Sequence, residues 1–302
     1  MAGLALIYKS GDIAENVPMS LHTSFKAGGP AAIMVQPGCA EELSRTIDAC
    51  RTAGVDYYII GNGTNLIVTD EGYDGLIIKI GDRMAGVSVR GDCIFAGAGA
   101  LLSSVAKYAA DQGLAGMEFA SGIPGSVGGG VAMNAGAYGG ELGDILEEIV
   151  CLDIRNGIRK YGKEELVLSY RHSVCQEQPL IVLSAVFGLK RDGIDGIKSR
   201  MRQYNRLRNE KQPVQWPSAG SVFKRPEGHF AGRLIEDAGL KGLALGGARI
   251  SPMHAGFIIN EKNATADDIL KLIELVKLTV YDSSGIRLQE EVKVIGKRTE
   301  RL

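Results

Sequence analysis

The sequence predicts an α+β fold on three observations. Short apolar runs of strand length mix with amphipathic helical stretches, without a regular strand–helix–strand wind. Turn signals rich in Gly and Asn bound many of those runs. Glycine supplies 41 of 302 residues, about twice its usual share, which implies many turns and backbone-lined surfaces. No internal repeat is apparent.

Residues 40–52 read as a helix, with Ala40, Leu43, Ile47 and Cys50 at helical spacing. Tyr57-Tyr-Ile-Ile60 is a buried strand, followed at once by Gly61-Asn-Gly-Thr-Asn65. Leu66–Thr69 and Gly75–Ile80 are the next strands. Val87–Val89 and Ile94–Ala96 flank Arg90-Gly-Asp, a hairpin signal. A helix is expected over 101–112. After a glycine-dense run at 120–141, strands are expected at Glu148–Ile154, Ile158–Tyr161 (across Arg155-Asn-Gly) and Leu180–Phe187. The polar stretch 192–210 carries Lys198, Arg200, Arg202, Arg206 and Arg208 and reads as a solvated helical connector closed by Pro213 and Pro217. Gly232–Ala238 is a short helix and Ala255–Ile259 a strand. Thr265 and Asp268 make a near capping box for an amphipathic helix that runs to about Tyr281. Gly285 ends that segment, and Ile286–Ile295 is the last expected strand.

Bulk properties exclude several classes. Net charge is −1, so there is no electrostatic footprint for nucleic acid. No apolar run reaches about 18 residues, so no membrane span is expected. The N-terminus lacks a charged region and a full signal-peptide core, which predicts a cytoplasmic protein. Cys39, Cys50, Cys93, Cys151 and Cys175 show no Cys-x2–4-Cys spacing, and the four histidines form no HExxH pattern, so no metal is expected.

The glycine-dense run interleaves Ile, Val and Met, unlike a flexible linker. Ordering glycine is costly, so the run needs a reason; the expected one is close approach of main-chain N–H groups to an anion such as a phosphate. Gly61–Asn65 offers unobstructed amides, with Thr64 and Asn65 as polar groups for a pyrophosphate; a plain turn fits equally well. Two Rossmann-like strings, from Gly61 and from Gly97, each lack the third glycine. In Ser218–Pro226, Gly220 frees Ser221 to face a cleft. There is no G-x-S-x-G elbow, which disfavours a hydrolase; a serine can instead serve as an acid towards a very basic carbanion. Arg171, after Tyr170, has a donor fork suited to a carboxylate. Glu290 and Glu291 are neighbours on an expected strand, so only one can face a site; the pattern leaves open which.

Gly61–Asn65, Ser121–Gly128, Met133–Gly139, Tyr170-Arg171, Ala219–Lys224 and Glu291-Val292, in this order, resemble the UDP-N-acetylenolpyruvoylglucosamine reductases, flavoenzymes of bacterial peptidoglycan synthesis. The resemblance spans about residues 20–296. Its first half is similar to the vanillyl-alcohol-oxidase/PCMH-type FAD-binding fold, and its second to the reductases' substrate domain. It implies an N-terminal segment (1–22), two α+β FAD-binding subdomains (23–80 and 81–205) and an α+β substrate-binding domain (206–302).

The resemblance further implies noncovalent FAD, NADPH as cosubstrate and UDP-N-acetylglucosamine enolpyruvate as substrate, with no metal. Hydride would pass from NADPH to FAD and then to C3 of the enolpyruvyl group. Arg171 matches the cation beside the substrate carboxylate, Glu291 the glutamate assisting the enolic intermediate, and Ser221 the proton donor to C2. Gly61, Asn62, Gly63, Thr64, Asn65, Ser121, Gly122, Ile123, Pro124, Gly125 and Gly128 would hold FAD. Tyr170, Lys211 and Lys224 would contact substrate, the lysines at its diphosphate, and His22 would be structural. The short Arg171–Leu180 segment leaves no room for an extra tyrosine-bearing loop, which implies the shorter, type II form. The main alternative is an FAD-dependent alcohol or sugar oxidase of the same fold. Another is a nucleotide-sugar-binding protein without chemistry.

Overall fold

Leu180-Ile-Val-Leu-Ser-Ala-Val-Phe187 is apolar on both faces, the pattern of a strand covered on both sides. In the computed structural model, which describes residues 2–9 and 12–296, strand Leu180–Gly188 is the centre of a five-stranded antiparallel sheet. The order is 157–162, 146–153, 180–188, 93–97, 87–90. The Arg90-Gly-Asp hairpin forms with Arg90 opposite Cys93 and Gly91 at φ 60°, the left-handed geometry such a tight turn requires. Strand Gly157–Gly162 lies at the edge, and its exposed Arg159 and Lys160 suit that position.

The chain divides into two compact units. One comprises residues up to Ala14, Met34–Asn62 and Leu76–Leu207; the other comprises Glu15–Ile33, Gly63–Gly75 and Arg208 onward. The first contains the five-stranded sheet and a parallel pairing of Tyr57–Ile60 with Leu76–Lys79. Helix Ala40–Ala53 buries Leu43, Thr46, Ile47 and Cys50 and stops at left-handed Gly54. Helix Leu102–Asp111 buries Leu102, Val105, Ala106, Ala109 and Ala110.

The second unit is built around helix Ala266–Ser284. Thr265 Oγ1 accepts from the Asp268 amide at 3.0 Å and Asp268 Oδ2 accepts from the Thr265 amide at 3.2 Å, so the capping box forms. The Asp70 carboxylate accepts from the Ala266 and Asp267 amides at 2.9 and 2.8 Å, placing negative charge at the positive end of the helix. Gly285 closes the helix in the left-handed region. Its apolar face packs in a core that gathers Phe25, Ala27 and Ile67 from the early segments with Val222, Phe223, Ile258, Leu288 and Val292.

Several expectations change. The last strand is shorter: only Lys293–Ile295 pairs, parallel to Leu66–Val68. Upstream, Gln289–Glu291 lies beside a short loop that admits a single bridge, Phe223 to Glu290. The strand expected at 255–259 begins at Ile258, because a turn closed by the Phe257 amide on the His254 carbonyl (3.0 Å) occupies 254–257. Helix Ile194–Lys211 is more than a solvated connector. Ile197 is buried, Arg200 bonds Glu118 Oε1 through Nε and Nη2 at 2.9 and 2.8 Å, and Tyr204 stacks on Tyr138 with centroids 5.2 Å apart.

Candidate active site

The loop Gly61–Asn65 leaves strand Tyr57–Ile60 and enters Leu66–Val68, and its glycines are sterically required. A Cβ on Gly61 would collide with Ser126 Oγ, and one on Gly63, at φ 64°, with the His22 carbonyl. Both glycines thus let the loop pack closely on its neighbours. Its two asparagines each anchor it within their own unit. Asn62 Nδ2 donates to the Pro124 carbonyl at 2.7 Å, joining two of the sequence-identified segments in the first unit. Asn65 Nδ2 donates to the Glu291 carbonyl at 3.0 Å, joining the loop to Glu291-Val292 in the second. Thr64 is half-buried between them.

Part of the glycine run packs closely against neighbouring chain. Ser121 and Gly122 end a 3-10 turn, Ile123 donates its amide to the Ala120 carbonyl, and Gly125 accepts from the Leu102 amide at 3.0 Å. The Val127 and Gly128 amides are given to the Ala100 and Ala98 carbonyls at 2.8 and 2.9 Å. A Cβ on Gly128 would sit 3.0 Å from the Ala98 Cβ. Close packing of chain on chain thus accounts for glycine at position 128. Ser121 Oγ donates to Asn205 Oδ1 at 3.4 Å.

Tyr170 and Arg171 occupy the tip of a tight turn closed by paired main-chain bonds between Ser169 and His172 at 3.2 and 3.1 Å. Arg171 adopts φ 55°, a left-handed conformation costing a non-glycine residue about 1 kcal/mol. Its Nη2 donates to the Gly136 carbonyl at 3.3 Å, and its guanidinium lies 5.2 Å from the Tyr170 ring centroid. Asn134, fully buried, fixes the turn: Nδ2 donates to the Ser169 carbonyl at 3.0 Å and Oδ1 accepts from the Gly143 amide at 2.8 Å. Sequence reasoning assigned Asn134 no individual role. Asparagine within a glycine-rich segment is a signal for such a side-chain-to-backbone anchor.

In the second unit, Ser221–Lys224 runs between Gly256-Phe257 on one side and Gln289–Glu291 on the other. Val222 donates to the Gly256 carbonyl at 3.0 Å, Glu291 donates to the Val222 carbonyl at 2.8 Å, and Lys224 donates to the Gln289 carbonyl at 2.9 Å. Half-buried Ser221 follows left-handed Gly220 and its Oγ donates to the Phe223 carbonyl at 3.4 Å. The two neighbouring glutamates differ in their company. Glu290 Oε1 accepts from Lys277 Nζ at 2.9 Å, and Lys277 also bonds Glu274 at 3.1 Å. Although partial burial opposes it, these two carboxylates hold the Lys277 ammonium above its usual range. Glu291 is half-buried, with its amide and carbonyl both engaged. Lys224 is half-buried on the serine segment; Lys211 is exposed at the end of helix Ile194–Lys211 and joins none of these bonds.

His254 is a further neighbour that sequence reasoning did not single out. Its Nδ1 accepts from the Gly256 amide at 3.1 Å. A Cβ on Gly256 would lie 3.0 Å from His254 Cε1 and 3.3 Å from Ser221 Oγ, so imidazole and hydroxyl flank one glycine. Burial pushes the His254 imidazole below its usual range, keeping it neutral near pH 7. Among the described residues no group of three His, Cys, Asp or Glu side chains could hold a metal ion. No helix among them is long and apolar enough to cross a membrane.

Residues 31–159 match a family model described as an FAD binding domain, and residues 212–295 match one described as the UDP-N-acetylenolpyruvoylglucosamine reductase C-terminal domain. The chain is 47% identical over 292 residues to the UDP-N-acetylenolpyruvoylglucosamine reductase of Caldanaerobacter subterraneus subsp. tengcongensis, covering 97% of this chain and 96% of that one. It is 46% identical over 297 residues to the reductase of Clostridium novyi, covering 98% and 96%. The crystal structure of the reductase (MurB) from Thermus caldophilus superposes with a TM-score of 0.79 at 36% identity, covering 93% of this chain and 97% of that one. A glucose dehydrogenase, Phl p 4.0202, aligns with a TM-score of 0.50 at 14% identity, covering 64% of this chain and 44% of that one, a likeness of fold alone.

Proposed function

Because the chain belongs to the UDP-N-acetylenolpyruvoylglucosamine reductase family and is an FAD-dependent oxidoreductase, we propose that it uses NADPH to reduce UDP-N-acetylglucosamine enolpyruvate to UDP-N-acetylmuramate. This is a cytoplasmic step of peptidoglycan synthesis. The observation that carries the reading is the 2.8 Å bond from the Glu291 amide to the Val222 carbonyl, which lays a candidate carboxylate segment directly beside a candidate serine segment. In this reading residues 23–80 and 81–205 serve FAD and 206–302 serve the substrate.

Noncovalently bound FAD would supply hydride exchange, accepting a hydride equivalent from NADPH and delivering one to C3 of the enolpyruvyl group. The loop Gly61–Asn65, whose two glycines carry no side chain, is assigned to the pyrophosphate, which must approach main chain closely. Asn62, by holding the Pro124 carbonyl, keeps that loop in register with Ser121–Gly125 and Gly128, which contribute to the flavin side.

Addition of hydride at C3 leaves negative charge on C2 and the adjoining carboxylate. The Arg171 guanidinium, on a turn stiffened by Asn134, pairs with that carboxylate and stabilises the charge as it develops. Glu291 assists the enolic species, and Ser221 Oγ–H gives its proton to C2, completing a net addition of hydride and proton across the double bond. Tyr170 contacts the substrate, while Lys211 and Lys224 offer cations for the diphosphate.

The test is a stopped-flow absorbance experiment near 450 nm on FAD-loaded protein without oxygen. Bleaching by NADPH, then recovery on adding the enolpyruvyl sugar, is the expected result. Bleaching without recovery would discard the substrate assignment, and air oxidation driven by an alcohol would point instead to an oxidase.

A further inference from the structure

Asn65 belongs to a loop whose amides suit a pyrophosphate, yet its side chain is spent elsewhere. Its Nδ2 donates to the Glu291 carbonyl at 3.0 Å, across 226 residues of sequence. Its own carbonyl accepts from the Lys293 amide at 3.0 Å, which opens the parallel ladder of Leu66–Val68 with Lys293–Ile295. On the other flank, the Glu291 amide donates to the Val222 carbonyl at 2.8 Å. Both main-chain polar groups of Glu291 are therefore held: one by the serine segment, the other by Asn65. The preceding residue is tied to helix Ala266–Ser284 through Lys277. Glu291 precedes the ladder, so no strand partner satisfies its carbonyl; a side-chain amide takes that place.

We propose that Asn65 is a positioning residue, which aims the Glu291 carboxylate by clamping the Glu291 carbonyl. The inference rests on the reading that Glu291 acts in reduction of the enolpyruvyl group. Asparagine suits the role chemically. It supplies a neutral N–H donor, whereas aspartate would set an anionic acceptor against the carbonyl oxygen. Displacement of a catalytic group by about 1 Å can cost on the order of a hundredfold in rate, so the clamp acts through geometry, without touching substrate.

Asn65→Ala, Asn65→Asp and Asn65→Gln are prepared with FAD bound. Four quantities are compared with wild type: the FAD dissociation constant, thermal midpoint, flavin bleaching by NADPH, and flavin recovery with the enolpyruvyl sugar. The clamp predicts that Ala and Asp slow recovery roughly 10- to 100-fold, well beyond any change they make in bleaching or FAD affinity. Gln, which keeps the donor, regains part of that loss. In a Glu291→Gln background, Asn65→Asp adds little further slowing, the non-additivity expected of residues acting through one another. Weakened FAD binding with normal recovery would make Asn65 a cofactor ligand and overturn the proposal. Equal slowing of both half-reactions, or full additivity with Glu291→Gln, would overturn it as well. Should Asn65→Ala fail to fold, Gln and Asp decide the matter, since they preserve volume differently from donor character. Wild-type protein that bleaches but does not recover would instead refute the assigned reaction.

Discussion

Replacing Glu290 and Glu291 separately by glutamine distinguishes the roles of two adjacent carboxylates. For Glu290→Gln, the lost contact is one charge-assisted bond to Lys277, whose ammonium keeps Glu274 at 3.1 Å. The Glu290 and Lys277 side chains are 21% and 32% exposed, so solvent screens the pair and the loss is about 0.5–1 kcal/mol. A native stability of roughly 5–15 kcal/mol tolerates that, and glutamine still offers an acceptor to Lys277. Flavin recovery with the enolpyruvyl sugar should then stay within about threefold of wild type. Glu291→Gln leaves the main-chain bonds to Val222 and Asn65 in place and removes only the charge. Loss of a positioned acid–base or electrostatic group lowers rates about 10²- to 10⁴-fold, or roughly 3–5 kcal/mol in barrier. The assay is anaerobic stopped-flow recovery near 450 nm after stoichiometric reduction, with urea unfolding as the control for folding. Slow recovery in Glu290→Gln with near-normal recovery in Glu291→Gln would show that the wrong carboxylate had been assigned.

Ser221→Ala should retain NADPH-driven bleaching while turnover falls by about a hundredfold or more; turnover close to wild type would remove Ser221 from proton delivery. Asp70→Ala removes the carboxylate that receives the Ala266 and Asp267 amides and should lower stability in urea by about 1–2 kcal/mol, with FAD affinity unchanged. The His254 imidazole lies below its ordinary value because of burial. The unfolded chain therefore binds this proton more readily, and stability should decline as pH falls below about 6.5. His254→Gln should flatten that part of the urea-midpoint profile, and a profile unchanged by the substitution would refute the argument.

Local chemistry made much of the fold legible. The hairpin at Arg90-Gly-Asp, the Thr265–Asp268 cap and the Gly285 stop each rest on contacts within a few residues, and all three form. Tertiary competition decided what was not legible. The run after Ile286 has strand composition, but its partner there is the short Ser221 loop, so the ladder starts only at Lys293. Arg200 and Tyr204 looked solvated because their partners, Glu118 and Tyr138, lie more than sixty residues upstream. With Ile197 they follow helical spacing, the one signal of a docked face. Among the candidate site residues, the loops were visible as glycine motifs. Which groups those loops hold was not: Asn134, Asn65 and His254 bond main-chain groups distant or irregularly spaced in sequence, and only the glycine-rich setting of Asn134 hinted at such a contact.

The core of the second unit needs Phe25, Ala27 and Ile67 alongside residues from 219 to 292, and the strand paired with Leu66–Val68 lies 227 positions further along the chain. During synthesis the early segments therefore emerge long before their partners. At about 5–20 residues per second, the wait between Leu66 and Lys293 is roughly 11–45 s. Until residues from 219 onward emerge, Phe25 and Ile67 lack their later partners in this core, and until Lys293 an unpaired apolar strand stands open to other nascent chains or to a chaperone. A ribosome stalled anywhere before residue 290 would carry a polypeptide unable to complete this unit, so slow codons late in the message would prolong that exposure while slow codons near the start would not.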